Sequence, residues 1–256
     1  MAARASSRTP AGKRRTRHAQ PRPPRTGYLD QTRRPLQSLV FLLPLVMVYE
    51  VGIFLAYPPF SGKPPTEVQA RVLLNWLMSL FGATGYHLAG LIVVAALLGW
   101  HVLRKDPWRL KRRVLGGMAA ESVLLALPML MFHALLAAGG RALSGDWADL
   151  VLLSMSAGIY EELVFRLLLI SLLTFLLSEV VNLRHGPAEV LAVLLSSIIF
   201  AAHHCQGLGG SEPFVLTRFL FRAAAGVYLA GVFVLRGFGI AVGCHTLYDV
   251  IVVSAG

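Results

Sequence analysis

The stretch Gly158-Ile159-Tyr160-Glu161-Glu162-Leu163-Val164-Phe165-Arg166 lies inside an apolar run from about Trp147 to about Leu177. Ionisable side chains in the middle of a membrane-length helix are costly, and they normally face a bundle interior or a wet cavity, in pairs. On a helix of about 3.6 residues per turn, Glu162 and Arg166 stand one turn apart and can form an ion pair. Glu161 lies about 100° around the helix from that pair. The stretch therefore predicts either a functional site, with Glu161 as a candidate general base, or a structural polar knot between helices.

The composition around this stretch indicates a polytopic membrane protein. Of 256 residues, 55% are hydrophobic and 14% are charged, and the mean hydropathy is +0.63. An ordinary soluble domain has about 25% charged residues. The net charge of +11 does not indicate a nucleic-acid partner, because the basic residues concentrate in residues 1–34 and 104–113, beside apolar segments. Such clusters are typical of cytoplasmic loops that face anionic lipid headgroups.

Seven apolar runs predict an all-α bundle of about seven transmembrane helices. Residues 1–34 are rich in proline and arginine and predict a disordered basic cytoplasmic arm, so residues 35–256 form the transmembrane domain. A short interfacial helix is expected over 68–81. The seven spans are expected over 36–57, 84–103, 115–138, 147–177, 188–204, 213–235 and 238–253.

The orientation of the bundle follows from the basic loops. A cytoplasmic amino terminus and seven spans place every dense basic loop on the same side of the membrane. Only four of the 24 basic residues are lysine, and alanine, glycine and leucine are abundant, which favours a GC-rich genome and a bacterial source. We therefore expect a multi-pass protein of a bacterial inner membrane, with the amino terminus in the cytoplasm.

Two later spans also carry polar groups. Phe200-Ala201-Ala202-His203-His204 closes the fifth span, and His245-Thr246-Leu247-Tyr248-Asp249 lies in the seventh. His245 and Asp249 stand one turn apart, so the carboxylate can bond one ring nitrogen and leave the other free. Gly239 and Gly243 give the seventh helix a small-residue face that permits close packing. Acids and imidazoles on three spans predict one composite site in a watery pocket.

In that order on successive apolar helices, Glu161-Glu162-x-x-x-Arg166, Phe200-x-x-x-His204 and His245-x-x-x-Asp249 resemble the three signature motifs of the CPBP intramembrane proteases. This family includes the type II CAAX prenyl endopeptidase and bacterial bacteriocin-processing or immunity proteins. The resemblance covers roughly residues 115–254, a protease-like core. It implies an intramembrane endopeptidase that cleaves near a membrane-anchored terminus of a protein or peptide, with that substrate and the lipid bilayer as partners.

The resemblance also implies roles for the motif residues. Glu161 would be the base that activates water, helped by His204. His203 is a second candidate for the histidine position, but the spacing from Phe200 favours His204. The residues that would support this pair are Glu162, Arg166 and Phe200.

By the same resemblance, His245 and Asp249 would stabilise the oxyanion of the tetrahedral intermediate. The eukaryotic prenyl proteases carry asparagine where this chain has Asp249. An ionised aspartate cannot donate a hydrogen bond to an oxyanion. Asp249 therefore orients His245, is protonated, or has a different role.

A metal site is the main chemical alternative, because two carboxylates and two imidazoles can also hold zinc. No His-Glu-x-x-His motif is present, and the resemblance favours a glutamate mechanism, so we expect no cofactor, with zinc as the alternative. Cys205 and Cys244 each adjoin a histidine, but we expect them to be ordinary small buried residues.

Two other functions stay open at this point. The first is a catalytically inactive relative that binds a peptide in the membrane or acts as an immunity factor. The second is a transporter or channel, which would require inverted repeats or broken helices. Its relay would use the histidines together with Glu161, Glu162, Arg218 and Arg222.

Overall fold

The fold is an α-helical bundle. A computed structural model describes residues 27–58, 69–80, 82, 88–136, 146–207, 210 and 212–255. Their nine helices are α1 (Tyr28–Thr32), α2 (Pro35–Ala56), α3 (Gln69–Ser79), α4 (Leu88–Arg104), α5 (Arg112–Leu136), α6 (Trp147–Val180), α7 (His185–His203), α8 (Leu216–Arg236) and α9 (Phe238–Ala255).

Six of these helices, α2 and α5 to α9, are long and apolar enough to cross a membrane. Helix α4 is apolar but shorter, with 17 residues. Together they form a multi-pass membrane bundle of about seven helices, which confirms the predicted fold class. Helix α3 covers most of the predicted interfacial segment, and it buries Ala70, Arg71 and Leu74.

The last residues of the predicted disordered arm are helical in the structure. Residues 1–26 lie outside the described part of the chain, but α1 forms within the last residues of the predicted arm. Gly237 explains why the chain is held there, since it leaves room for the backbone of Thr32 and Arg33 against the start of α9. Arg33 also donates from Nε to the carbonyl of Leu235 over 3.0 Å.

The two ends of the bundle differ in charge. At the basic end, α2, α5, α7 and α9 begin and α4, α6 and α8 end. Arg104 and Arg236 lie there, and Arg104 Nη1 donates to the carbonyl of Arg33 over 3.3 Å. At the opposite end, Trp147 Nε1 donates to Ser254 Oγ over 3.4 Å. This arrangement matches the common side that the basic loops predict.

Helix α9 is the central helix of the bundle. Its 18 residues are 50% buried inside the protein, whereas in every other spanning helix at most 33% of the most apolar stretch is buried. Its glycines permit this position, because a Cβ on Gly239 would lie 2.7 Å from Met118 Cε and one on Gly243 would lie 2.5 Å from Ser122 Oγ. The small-residue face seen in the sequence therefore packs against α5.

Helices α6 and α9 touch through Gly158. A Cβ at this position would collide with Thr246 Oγ1 and would lie 2.9 Å from the Thr246 amide nitrogen and 3.0 Å from its Cα. Backbone atoms cannot move aside as a flexible side chain can. The glycine therefore sets the distance between the helix that carries Glu161 and the helix that carries His245.

We expect Gly158→Ala to lower the free energy of unfolding by about 1–3 kcal/mol, because the added methyl group overpacks this contact. The matched control is Gly231→Ala on α8, where a Cβ would meet no atom within 4 Å. Alanine there should be neutral or stabilising, since glycine costs about 0.5–1 kcal/mol inside a helix. Thermal unfolding of both variants in detergent measures the difference, and equal stabilities would contradict the close contact.

Candidate active site

The central acidic pair lies on an unusual part of α6. Over Ala157–Ile170 the helix has π-helical hydrogen bonding, a rare geometry that is frequent at functional sites. Glu161, Glu162 and Arg166 are 6%, 0% and 1% exposed. Charged groups at this depth require polar partners. The neighbouring helices and α6 itself supply part of them, but Glu162 Oε2 and Arg166 Nη2 have no hydrogen-bond partner among the described residues.

Glu162 and Arg166 form the ion pair that their spacing predicts. Arg166 Nη1 lies 3.1 Å from Glu162 Oε1. The guanidinium carbon also lies 4.3 Å from the ring centroid of Phe200, a cation–π contact with α7. The Phe200 ring in turn packs edge-on against His204, with 4.9 Å between ring centroids. Phe200 thus lies between the buried ion pair of α6 and His204 at the end of α7.

Glu161 faces two imidazoles from two other segments of the fold. Its Oε1 lies 3.7 Å from His204 Nε2, at the end of α7, and its Oε2 lies 3.9 Å from His245 Nε2 on α9. One acid and two histidines therefore meet in one cluster, as the order of the motifs suggests. Neither contact is as short as a hydrogen bond. The acid and each imidazole lie close enough for one water beside them to hydrogen-bond to both.

The backbone fixes the tautomer of His204. Its Nδ1 donates to the carbonyl of Phe200 over 2.8 Å, so in the neutral ring Nε2 is the nitrogen that can accept a hydrogen bond. This nitrogen is the one that faces Glu161. The adjacent His203 packs instead against the ring of Phe165, at 5.4 Å between centroids. Of the two candidate histidines, it is His204 that lies against the acid.

Both nitrogens of His245 meet carboxylates. Nδ1 lies 2.8 Å from Glu162 Oε1, and Nε2 lies 3.3 Å from Asp249 Oδ2. The expectation that one nitrogen stays free is wrong, because Glu162 on a different helix occupies the second position. A ring with protons on both nitrogens can donate to both carboxylates. Of the three roles considered for Asp249, the orientation of His245 fits this contact.

A family comparison covers the region that contains the motifs. A family model described as Type II CAAX prenyl endopeptidase Rce1-like matches residues 142–251. Residues 142–251, called the Rce1-like domain below, are therefore similar to this family. The matched region is less than half of the chain, but it contains α6 to α8, most of α9 and every residue of the cluster. No curated protein and no solved structure matches the chain. The family supports a hydrolase of the protease class within the membrane.

The cysteines of the Rce1-like domain adjoin the histidines of the cluster in the sequence, and their contacts are those of small buried residues. Cys205 and Cys244 are both buried and unpaired with each other, and Cys205 Sγ donates to the Ala201 carbonyl over 3.6 Å. Cys244 packs in an apolar cluster of α5, α8 and α9. Across the described residues, no group of three or more His, Cys, Asp or Glu side chains is arranged to hold a metal ion.

The segment after His204 contains a feature that the motifs did not indicate. The chain folds back, so that Gln206 N donates to the Glu212 carbonyl over 2.7 Å and Gly210 N donates to the Cys205 carbonyl over 3.2 Å. A Cβ on Gly210 would collide with the backbone of His204. Gly210 therefore allows the returning chain to lie directly against the histidine.

Glu212 ties this segment to α8. Its carboxylate accepts hydrogen bonds from Arg218 over 2.8 Å and from Arg222 over 2.7 Å. The sequence offered one signal for this contact, the two arginines one turn apart, but not their partner. Partial burial raises the pKa of the Glu212 carboxyl, yet the hydrogen bonds and charges of both arginines outweigh it and hold the pKa below its ordinary value. The ion pairs therefore persist at neutral pH and are lost only as the pH falls through that lowered pKa.

We expect Glu212→Gln to slow cleavage about fivefold, because the loss of an exposed ion pair worth ~1 kcal/mol loosens the backbone that holds His204. The double variant Glu212→Arg/Arg222→Glu reverses the pair and should recover part of the rate. Turnover of a labelled membrane peptide at saturating concentration measures both. A wild-type rate for Glu212→Gln would show that this segment does not position His204.

Proposed function

We propose that the Rce1-like domain is an intramembrane endopeptidase that hydrolyses a peptide bond near a membrane-anchored terminus of a protein or peptide. The convergence of Glu161, His204 and His245 from three segments of the fold carries this proposal. Here the acid and the imidazoles face one another at 3.7 and 3.9 Å, so that a water beside them can hydrogen-bond to Glu161 and to His204 at once.

In the proposed mechanism a water donates one hydrogen bond to Glu161 and another to His204 Nε2. The bond from His204 Nδ1 to the Phe200 carbonyl keeps Nε2 available as an acceptor. As the water oxygen bonds to the substrate carbonyl carbon, Glu161 takes the proton. Collapse of the tetrahedral intermediate breaks the carbon–nitrogen bond, and the proton passes from Glu161 to the leaving amine.

His245 is proposed to stabilise the negative charge on the substrate oxygen. Held between Glu162 and Asp249, a ring with two protons places positive charge beside the reacting groups. Such a charge is most effective in a dry, preorganised site. The proposed role of Asp249 is to hold His245, since an ionised aspartate has no proton to donate.

Substrate is proposed to enter from the side of His204 and Asp249. Their side chains are 22% and 24% exposed, whereas that of Glu161 is 8% exposed. Helix α7 runs from the basic end and ends at His203, so this side belongs to the half of the bundle away from the basic end. The positive-inside rule supports a cytoplasmic basic end and amino terminus, which we propose for a bacterial inner membrane.

The proposed substrate is a protein or peptide held in the bilayer by a lipid or by an apolar segment. An extended chain anchored in this way reaches a buried site by diffusion within the membrane. The direct test is incubation of the purified full-length protein in nanodiscs with a labelled, membrane-anchored peptide. Comparison of protein termini in cells with and without active protein would identify natural substrates.

The outcomes of this test separate the candidate functions. Cleavage that requires Glu161 supports the endopeptidase. Binding of the peptide without cleavage, by protein that is folded, supports a peptide-binding or immunity role instead. Ion or solute flux through proteoliposomes without cleavage supports a transporter.

We expect cleavage to survive exhaustive chelation, because the proposed water activation uses Glu161 and His204 without a metal ion. The measurement is the cleavage rate before and after chelation, with elemental analysis of the same sample. An inactive, zinc-depleted protein that regains activity on addition of zinc would favour the metal mechanism.

A further inference from the structure

A cavity separate from the catalytic cluster opens at the basic end of the bundle. It has a volume of about 280 Å³ and lies where α4, α6, α7 and α8 meet. The polar part of its lining comes from four parts of the chain and consists of Arg33, Arg104, Ser171, Thr174, His185 and Glu189. None of these residues belongs to the cluster around Glu161. A volume of this size is close to the lower limit for small-molecule sites.

The two arginines of the cavity are held in place by the backbone. Arg33 Nε donates to the carbonyl of Leu235, and Arg104 Nη1 donates to the carbonyl of Arg33. Arg104 Nε also lies 2.9 Å from Asp106 Oδ2 in an ion pair, and the guanidinium carbon lies 5.6 Å from the ring centroid of Trp100. Guanidinium groups oriented in this way are suited to bind phosphate oxygens.

The cavity also contains a carboxylate, which a site for a simple anion would not need. Glu189 is half-buried in the lining. No ion pair or hydrogen bond joins its side chain to any other side chain in the described parts of the molecule. A partly desolvated carboxylate is stabilised by a cation, and neither arginine lies within ion-pair distance of it. The cavity therefore has a place for a positively charged group of a ligand.

The rest of the lining fits a lipid. Ile170 and Phe233 form an apolar wall, and Trp100 belongs to the aromatic residues that favour the membrane–water interface. The cavity lies at the end of the bundle where the basic loops meet the headgroup region. A soluble phosphate compound would leave this apolar wall unused.

We propose that this cavity binds the headgroup of a phospholipid with a primary ammonium group, that is, phosphatidylethanolamine. Arg33 and Arg104 bind the phosphate diester, and the Glu189 carboxylate accepts hydrogen bonds from the ammonium group. The hydroxyls of Ser171 and Thr174, which also line the cavity, bond the glycerol oxygens, and the acyl chains leave past the half-buried Phe233. The lipid would thus join four helices of the bundle.

The test uses the full-length protein in detergent micelles, with lipid binding measured by native mass spectrometry. The probes are phosphatidylethanolamine, phosphatidylcholine and phosphatidylglycerol with identical acyl chains. Wild type should prefer phosphatidylethanolamine at least tenfold, because phosphatidylcholine cannot donate from its ammonium and phosphatidylglycerol has none. Glu189→Gln should remove this preference while phosphatidylglycerol binding is retained or improved. An unchanged preference in Glu189→Gln overturns the proposal.

A second set of variants examines the phosphate contacts. Arg33→Ala/Arg104→Ala should weaken binding of all three lipids at least tenfold, whereas Arg113→Ala, an exposed arginine at the same end outside the cavity, should bind as wild type does. If Arg113→Ala weakened lipid binding equally, the loss would come from general surface charge and the proposal of a phosphate site would be wrong. Soluble phosphoethanolamine that bound as tightly as the lipid would overturn the lipid assignment. If the double variant does not fold, the Glu189→Gln comparison still decides.

Discussion

Replacing Glu161 with glutamine is expected to lower the cleavage rate by about two to four orders of magnitude, the usual contribution of a general base. The amide keeps the shape of the side chain but cannot take a proton from water. The rate constant for cleavage of a labelled membrane peptide, with enzyme in excess, measures this loss without interference from product release.

The control for Glu161→Gln is Glu179→Gln, a change of the same kind on the same helix. Glu179 is near the basic end of α6 and lies outside the cluster around Glu161. This variant should cleave at the wild-type rate. Glu161→Gln should unfold at nearly the wild-type temperature, since Arg166 keeps its contact with Glu162. If folded Glu161→Gln cleaved at the wild-type rate, Glu161 would not be the general base.

The neighbouring substitution Glu162→Gln is expected to affect stability first. It leaves Arg166, which is 1% exposed, without the carboxylate at 3.1 Å, and it takes the charged partner from His245 Nδ1. Removal of one member of a buried ion pair costs about 3–5 kcal/mol, because the remaining charge is not compensated. Thermal or denaturant unfolding in detergent, compared with Glu161→Gln, measures the difference.

A double variant separates the uncompensated charge from other effects of the substitution. In Glu162→Gln/Arg166→Met neither charge of the pair remains, so stability should recover much of the loss seen in Glu162→Gln alone. Activity should stay low in both variants, because His245 lacks one of its two carboxylates. If Glu162→Gln is as stable as Glu161→Gln, Glu162 does not have the larger role in stability that its contacts with Arg166 and His245 indicate.

The helices of this fold could be predicted from the sequence, because long apolar runs have few alternatives in a membrane. The Glu162–Arg166 pair was also predictable, since it depends only on spacing along one helix. The association of Glu161 with His204 could be anticipated only through the order of the motifs. These predictions rest on the apolar character of a run, on spacing along one helix, or on the order of motifs in the chain.

Other features depend on contacts between distant segments, and spacing could not indicate them. Glu162 contacts His245 because α6 and α9 cross closely at Gly158. Spacing along α9 alone predicts only Asp249 as a partner of His245. The π-helical geometry over Ala157–Ile170 has no simple sequence signal. The contact of Glu212 with α8 forms only because the chain turns back after His204.

The length of α6 has a consequence for proteins that must work in membranes of different thickness. The helix has 34 residues, more than about 40 Å, and a hydrocarbon core is about 30 Å thick, so the helix tilts or projects. Glu161 comes fourteen residues after Trp147 and nineteen before Val180, close to the middle of this rod. Rocking about the midpoint moves the ends of a rod far and its centre hardly at all. A thinner or thicker bilayer would therefore shift the outer turns of α6 while the carboxylate keeps its depth.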